Sequence, residues 1–63
     1  MHADRAELSS VSSILDDLGG RLERLASRFQ ARNEDALAAD LYEVERALRM
    51  AERRLAQVVR RLP

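Results

Sequence analysis

Apolar side chains recur at alternating intervals of three and four residues through the first half of the chain. This interval keeps one stripe of a helix apolar, with heptad positions a and d on the stripe. The register continues unchanged across Gly19 and Gly20, so we expect both glycines to lie inside one helix over about residues 4–32. With Leu8 at position a, the series is Leu8, Val11, Leu15, Leu18, Leu22, Leu25 and Phe29.

A second series of the same kind fills the other half of the chain, but it is out of phase with the first. The phase break over residues 31–35 predicts a tight turn, followed by a second helix over about residues 35–62. Asn33 suits either the left-handed position after the first helix or the N-cap of the second. The second series is Leu37, Leu41, Val44, Leu48, Ala51, Leu55, Val58 and Leu62.

The two series predict an antiparallel helical hairpin. With a turn centred near Asn33, residues whose numbers add up to 66 face each other, and every such layer pairs an apolar position a with an apolar position d. The main alternative is one long helix in a parallel coiled coil, and the phase break argues against it. At the start of the chain, Asp4 and Glu7 have the spacing of a capping box.

Small residues flank the apolar stripe of the first helix as doublets that recur seven residues apart. Because seven residues make two helical turns, the doublets stack on one side of the helix, where another helix can approach closely. We interpret them as the contact with a second copy of the chain. Two other interpretations stay open, namely a surface without function and a seat for another protein or a small ligand. The predicted interface comprises Ser12, Ser13, Gly19, Gly20, Ala26, Ser27 and, from the second helix, Ala38.

Chain length also favours self-association. A chain of 63 residues without cysteine forms one domain with a limited core and has no disulfide to stabilise it. Pairing of two hairpins adds burial, so we predict a homodimer in the form of a four-helix bundle, with the parallel or antiparallel arrangement of the hairpins left open. At position g, Glu7 with Arg61 and Arg28 with Asp40 are predicted to form exposed ion pairs within the hairpin.

Arginine is concentrated on one side of the second helix. All eleven basic residues of the chain are arginine, and they balance eleven acidic residues. A stripe of arginines can hold the phosphates of RNA or DNA, although a solvated helix surface is the competing interpretation and is favoured by the zero net charge. The candidate contacts are Arg46, Arg49, Arg53 and Arg60.

The composition argues against an enzyme. His2 is the only histidine and cysteine is absent, so the residues of a nucleophilic site or a metal centre are missing, and we expect no metal and no cofactor. No apolar run reaches membrane-spanning length, and residues 1–5 lack the apolar region of a signal peptide, which predicts a cytoplasmic protein without a membrane partner. The sequence thus predicts an all-α module, over residues 1–63, that binds another protein, with nucleic-acid binding as the alternative.

Overall fold

The computed structural model describes residues 2–63, and for His2 it describes the backbone alone. Helix α1 runs over His2–Ala31 and helix α2 over Asp35–Arg61, and the two pack against each other along their length. The predicted all-helical hairpin is therefore confirmed, and the single long helix is excluded. No strand occurs within residues 2–63.

The turn between the helices explains the phase break. Asn33 has a φ of 62°, in the left-handed region. Its N–H donates to the carbonyl of Gln30 at 3.0 Å, and the N–H of Glu34 donates to the carbonyl of Phe29 at 2.9 Å. These two bonds form a Schellman motif, which satisfies the last carbonyls of α1. The left-handed interpretation of Asn33 is thus correct, and Glu34 rather than Asn33 is the N-cap of α2.

The ends of the helices differ slightly from the prediction. Helix α1 begins at His2, so Asp4 lies in its first turn and is not the N-cap of a capping box. A carboxylate there still interacts favourably with the positive end of the helix. Helix α2 ends at Arg61, and Leu62 has the extended backbone that a residue before proline prefers. Both glycines lie within α1, as predicted.

The helices contact each other through positions a and e rather than a and d. In α1, the half-buried or buried residues of position e are Ser12, Gly19 and Ala26, whereas Val11, Leu18 and Leu25 of position d are exposed. Because Ser, Gly and Ala are small, rolling the helix toward position e brings the two backbones closer together. Helix α2 shows the same roll, with Ala38 of position e buried and Leu37 of position d exposed.

Because of this roll, each predicted layer has one half-buried residue and one exposed residue. Phe29 is half-buried and its layer partner Leu37 is exposed, while in the next layer Leu25 is exposed and Leu41 is half-buried. This alternation continues through all the layers to Leu8, which is half-buried opposite the exposed Val58. The a and d positions therefore line one broad side of the hairpin and do not fill a closed core.

The hairpin is a single layer of helices. Its principal dimensions are 48 × 15 × 9 Å, so the second helix widens the molecule in one direction and adds no second layer. In the described part of the chain the buried hydrophobic residues are Ala26 and Ala38, and no large side chain is fully buried. Stable domains are built from at least two packed layers, so the hairpin has an open side.

Candidate interaction surface

Position d of both helices comes out on the same side of the hairpin. In an antiparallel pair the e positions of both helices lie on one side of the seam and the g positions on the other. Since both helices roll toward e, both rows of position d face the g side. We call this side the apolar face and define it by its exposed large residues: Val11, Ile14, Leu18, Leu25, Leu37, Val44 and Val58.

The residues of the apolar face are more exposed than large apolar side chains usually are. Leu37 is 51% exposed, Val44 52% and Ile14 54%, although side chains of this kind are usually buried. The half-buried leucines of position a lie between the two rows and make the surface continuous. A contiguous apolar surface with a charged edge is typical of a protein–protein contact.

The solvent-accessible surface of the whole hairpin is also large for its mass. The hairpin exposes 4962 Å², whereas a folded monomer of its mass of 7.2 kDa exposes about 4,100 Å². The excess of about 800 Å² over this value follows from the elongated shape of two helices lying side by side. The hairpin thus exposes more surface than a compact monomer of the same mass.

The small residues lie mostly inside the hairpin. Ala26 and Ala38 are 0% and 2% exposed, Gly19 is buried and Ser12 is half-buried. Helix α2 therefore already covers the flank that the sequence assigned to a second chain. The other members, Ser13, Gly20 and Ser27, lie at position f, away from the apolar face, and their contact with a second chain stays a prediction.

Gly19 accommodates an arginine from the other helix. A Cβ atom at Gly19 would lie 2.6 Å from Cζ of Arg49, a distance that no real contact tolerates. A Cβ at Gly20 would only reach Nη1 of Arg24 at 3.4 Å, an ordinary contact. The two adjacent glycines are therefore not equivalent, because only at Gly19 does the missing Cβ leave space for the side chain of Arg49.

Three carboxylates hold the Arg49 guanidinium in this position. Its Nε donates to Glu45 at 2.8 Å, and its Nη1 donates to Asp16 at 2.8 Å and to Glu52 at 3.0 Å. The hydrogen bonds to Glu45 and Asp16 are the main reasons why the pKa of Arg49 rises above its ordinary value. Asp16 belongs to α1, so this cluster ties the two helices together on the side opposite the apolar face.

Of the four candidate phosphate contacts, Arg49 is thus occupied by carboxylates of its own chain. Arg46 lies 3.6 Å from Glu43 in an exposed pair. Arg53 and Arg60 are exposed, and within residues 2–63 neither has an ion-pair partner. Contact of these arginines with RNA or DNA stays a prediction.

The predicted ion pairs at position g do not form within the chain. In the described residues no salt bridge joins Glu7 to Arg61 or Arg28 to Asp40. The physical reason is the roll of the helices, which moves the two g rows to opposite edges of the hairpin. The edges consist of Glu7, Ile14, Arg21 and Arg28 on α1, and of Asp40, Ala47, Arg54 and Arg61 on α2, all exposed.

The described residues form neither a metal site nor a membrane-spanning segment. No group of three or more His, Cys, Asp or Glu side chains comes together there as a metal site, and the side chain of His2 lies outside the described part. Neither helix has a segment long and apolar enough to cross a membrane over residues 2–63. The chain matches no protein-family model, no curated protein and no solved structure.

Proposed function

We propose that this protein is a small non-enzymatic interaction or regulatory module that works in the cytoplasm as a homodimer. Two hairpins join through their apolar faces into a four-helix bundle, and the assembled bundle binds another protein. The single observation that carries the proposal is the exposed apolar face on a hairpin only one helix thick.

A second copy is the occupant that the surface favours. The apolar face runs along both helices, so a partner must match a flat surface of the same length, and an identical hairpin does so. A two-fold axis would bring each face onto its own copy, which is the usual form of a homodimer contact. Stacking in this way would cover the seven exposed large residues of both apolar faces at once.

Stacking would also supply the missing core. The exposed d residues and the half-buried a residues would then lie between two layers of helices, as in four-helix bundles. Burial of apolar surface contributes about 25 cal/mol per Å², so covering both faces is a large term for so short a chain. Most of the stability of a helix in a protein comes from packing of its apolar side, and stacking adds to that packing.

The test compares one substitution on the apolar face with one among the small residues of α1 that the sequence assigns to a second chain. Leu18→Glu places a charge in the centre of the proposed contact, whereas Ser27→Glu places one at the exposed position f. We expect Leu18→Glu to abolish the dimer in sedimentation velocity, because burying an unpaired carboxylate is costly. Ser27→Glu should leave the dimer intact. A dimer that survives Leu18→Glu but is lost in Ser27→Glu would show that the small residues of α1 form the dimer contact. It would refute a contact through the apolar face.

The alternative function, binding of RNA or DNA, would use Arg46, Arg53 and Arg60 of α2. It is supported by the exposure of Arg53 and Arg60, neither of which has an ion-pair partner in the described residues. Phosphate binding weakens steeply as salt rises, whereas apolar docking of a protein does not. Titration of labelled RNA and DNA at two salt concentrations separates the two functions.

A further inference from the structure

Two identical hairpins can stack their apolar faces in two symmetric ways. In one, both turns lie at the same end of the bundle and α1 packs on α2 of the second chain. In the other, the turns lie at opposite ends, so that α1 packs antiparallel on α1 of the second chain and α2 on α2. We propose that the chain specifies the second arrangement, in which the turns lie at opposite ends of the bundle. This inference rests on the proposed homodimer.

The size of the core layers distinguishes the two arrangements. Ala51 is the smallest residue of the apolar stripe, and it shares a layer with Leu15. With the turns at the same end, both copies of Ala51 fall in one layer, which leaves a gap at the contact. With the turns at opposite ends, the layer of Leu15 and Ala51 meets the layer of Leu22 and Val44 from the second chain. The deficit is then divided between two layers, which matters because cavities are costly.

The largest layer follows the same logic. Phe29 and Leu37 form the layer next to the turn. With the turns at the same end, this layer meets its own copy and becomes the widest of the bundle. With the turns at opposite ends, it meets the layer of Leu8 and Val58. Even layers allow close packing along the whole length of a bundle, so the opposite-end arrangement fits better.

The charged edges are compatible with this arrangement. In the opposite-end stack, the α1 edges run antiparallel, which brings Glu7 of each chain next to Arg28 of its copy. The α2 edges bring Asp40 next to Arg54 in the same way. Both acidic residues of the edges thus gain an arginine between chains. Within one chain none of these four side chains has an ion-pair partner among the described residues, so all are available.

A distance between two spin labels tests the arrangement. The chain has no cysteine, so Gln30→Cys provides a single attachment site, at an exposed position near the turn and away from the apolar face. With the turns at opposite ends, each label lies twelve residues from the central Leu18, so the two labels of a dimer should be about 36 Å apart along the bundle and about 40 Å apart in all. With the turns at the same end, they should be about 20 Å apart, the width of two helices.

Asp17→Cys is the matched control. Asp17 is exposed near the middle of α1, so in either arrangement its two labels lie at about the same height and are separated by no more than the width of the bundle, which reports that the dimer has formed. A short Gln30 distance with a short Asp17 distance would overturn the inference and leave the homodimer standing. The absence of any dipolar coupling at both sites, with a monomeric mass, would overturn the proposed homodimer itself.

Charge exchange gives an independent test. Glu7→Arg places arginine opposite Arg28 of the second chain, and we expect it to weaken dimerisation roughly ten-fold at low salt, since each dimer contains the contact twice. Adding Arg28→Glu should restore the affinity in the opposite-end arrangement. Adding Arg61→Glu instead should restore it only if the turns lie at the same end, and that outcome would refute the inference.

Discussion

Replacing the two central glycines of α1 one at a time tests the packing of the helices in detail. Alanine is favoured over glycine inside a helix by about 1 kcal/mol, because glycine loses more backbone freedom on folding. Both glycines have ordinary helical backbone without positive φ, so alanine fits the backbone at either position. Any difference between the two variants must therefore come from what the new methyl group meets.

The structure predicts different results at the two sites. At Gly20 the added Cβ would lie 3.4 Å from Arg24, whose exposed side chain can move aside. Gly20→Ala should therefore increase the free energy of unfolding by about 1 kcal/mol per chain. At Gly19 the Cβ would lie 2.6 Å from Cζ and 2.9 Å from Nη1 of Arg49. The guanidinium ends a flexible side chain and can shift, but the shift strains its hydrogen bonds to the three carboxylates, so Gly19→Ala should gain less stability than Gly20→Ala.

Urea denaturation followed by circular dichroism measures both effects, at one fixed protein concentration because unfolding is coupled to dissociation. Removing the obstructing side chain supplies the control. In an Arg49→Ala background, Gly19→Ala should regain the full benefit of about 1 kcal/mol. Equal stabilisation by both glycine variants in the unmodified background would refute the packing of Arg49 against Gly19.

Three further predictions concern other parts of the chain. Asn33→Ala should lower the free energy of unfolding by about 1 kcal/mol, while Asn33→Gly should not, because the φ of 62° suits glycine and disfavours alanine; urea denaturation of both variants decides, and equal losses would contradict a left-handed turn. Ala26→Leu should lower the free energy of unfolding by about 1–3 kcal/mol, because it overpacks the 0% exposed site between the helices. Ser27→Leu at the exposed neighbouring position should change stability by less than about 0.5 kcal/mol. Similar shifts of the melting temperature in both variants would refute the roll toward position e. Replacing Arg46, Arg53 and Arg60 with glutamine should leave helicity and molar mass unchanged, since these side chains are exposed; loss of a tight, salt-sensitive binding to RNA or DNA in this variant would favour the alternative function.

The hairpin could be predicted from the sequence because apolar spacing reports helical phase. The shift between Phe29 and Leu37 located the turn, and Asn33 supplied its left-handed residue. Even the two glycines could be kept inside α1, since the register continues past them. These features are local, and each depends on a few neighbouring residues.

The roll of the helices could not be predicted from the same spacing. A stripe with a and d apolar is compatible with direct a–d packing and with packing through a small flank that leaves d open. The choice depends on how closely two backbones approach, which is a property of both helices together. The small residues at position e predict a close helix contact, but their spacing does not tell whether the other helix is α2 or belongs to a second chain.

The Arg49 cluster was also missed, although the sequence contained a signal for it. Glu45 and Glu52 occupy position e on α2, opposite Gly19 and Ser12, which are too small to cover them. Arg49 lies four residues after one and three before the other, within reach of both on the helix surface. With Gly19 opposite them, these residues could have indicated a guanidinium crossing between the helices.

The central claim is that the apolar face is covered by a second copy of the chain. Sedimentation equilibrium of the unmodified protein over a range of micromolar concentrations tests it most directly, with circular dichroism on the same samples to show that the helices are formed. We predict a molar mass of twice the chain mass of 7.2 kDa, with dissociation and loss of helix occurring together on dilution. A fully helical protein with the mass of one chain at every concentration would contradict the claim.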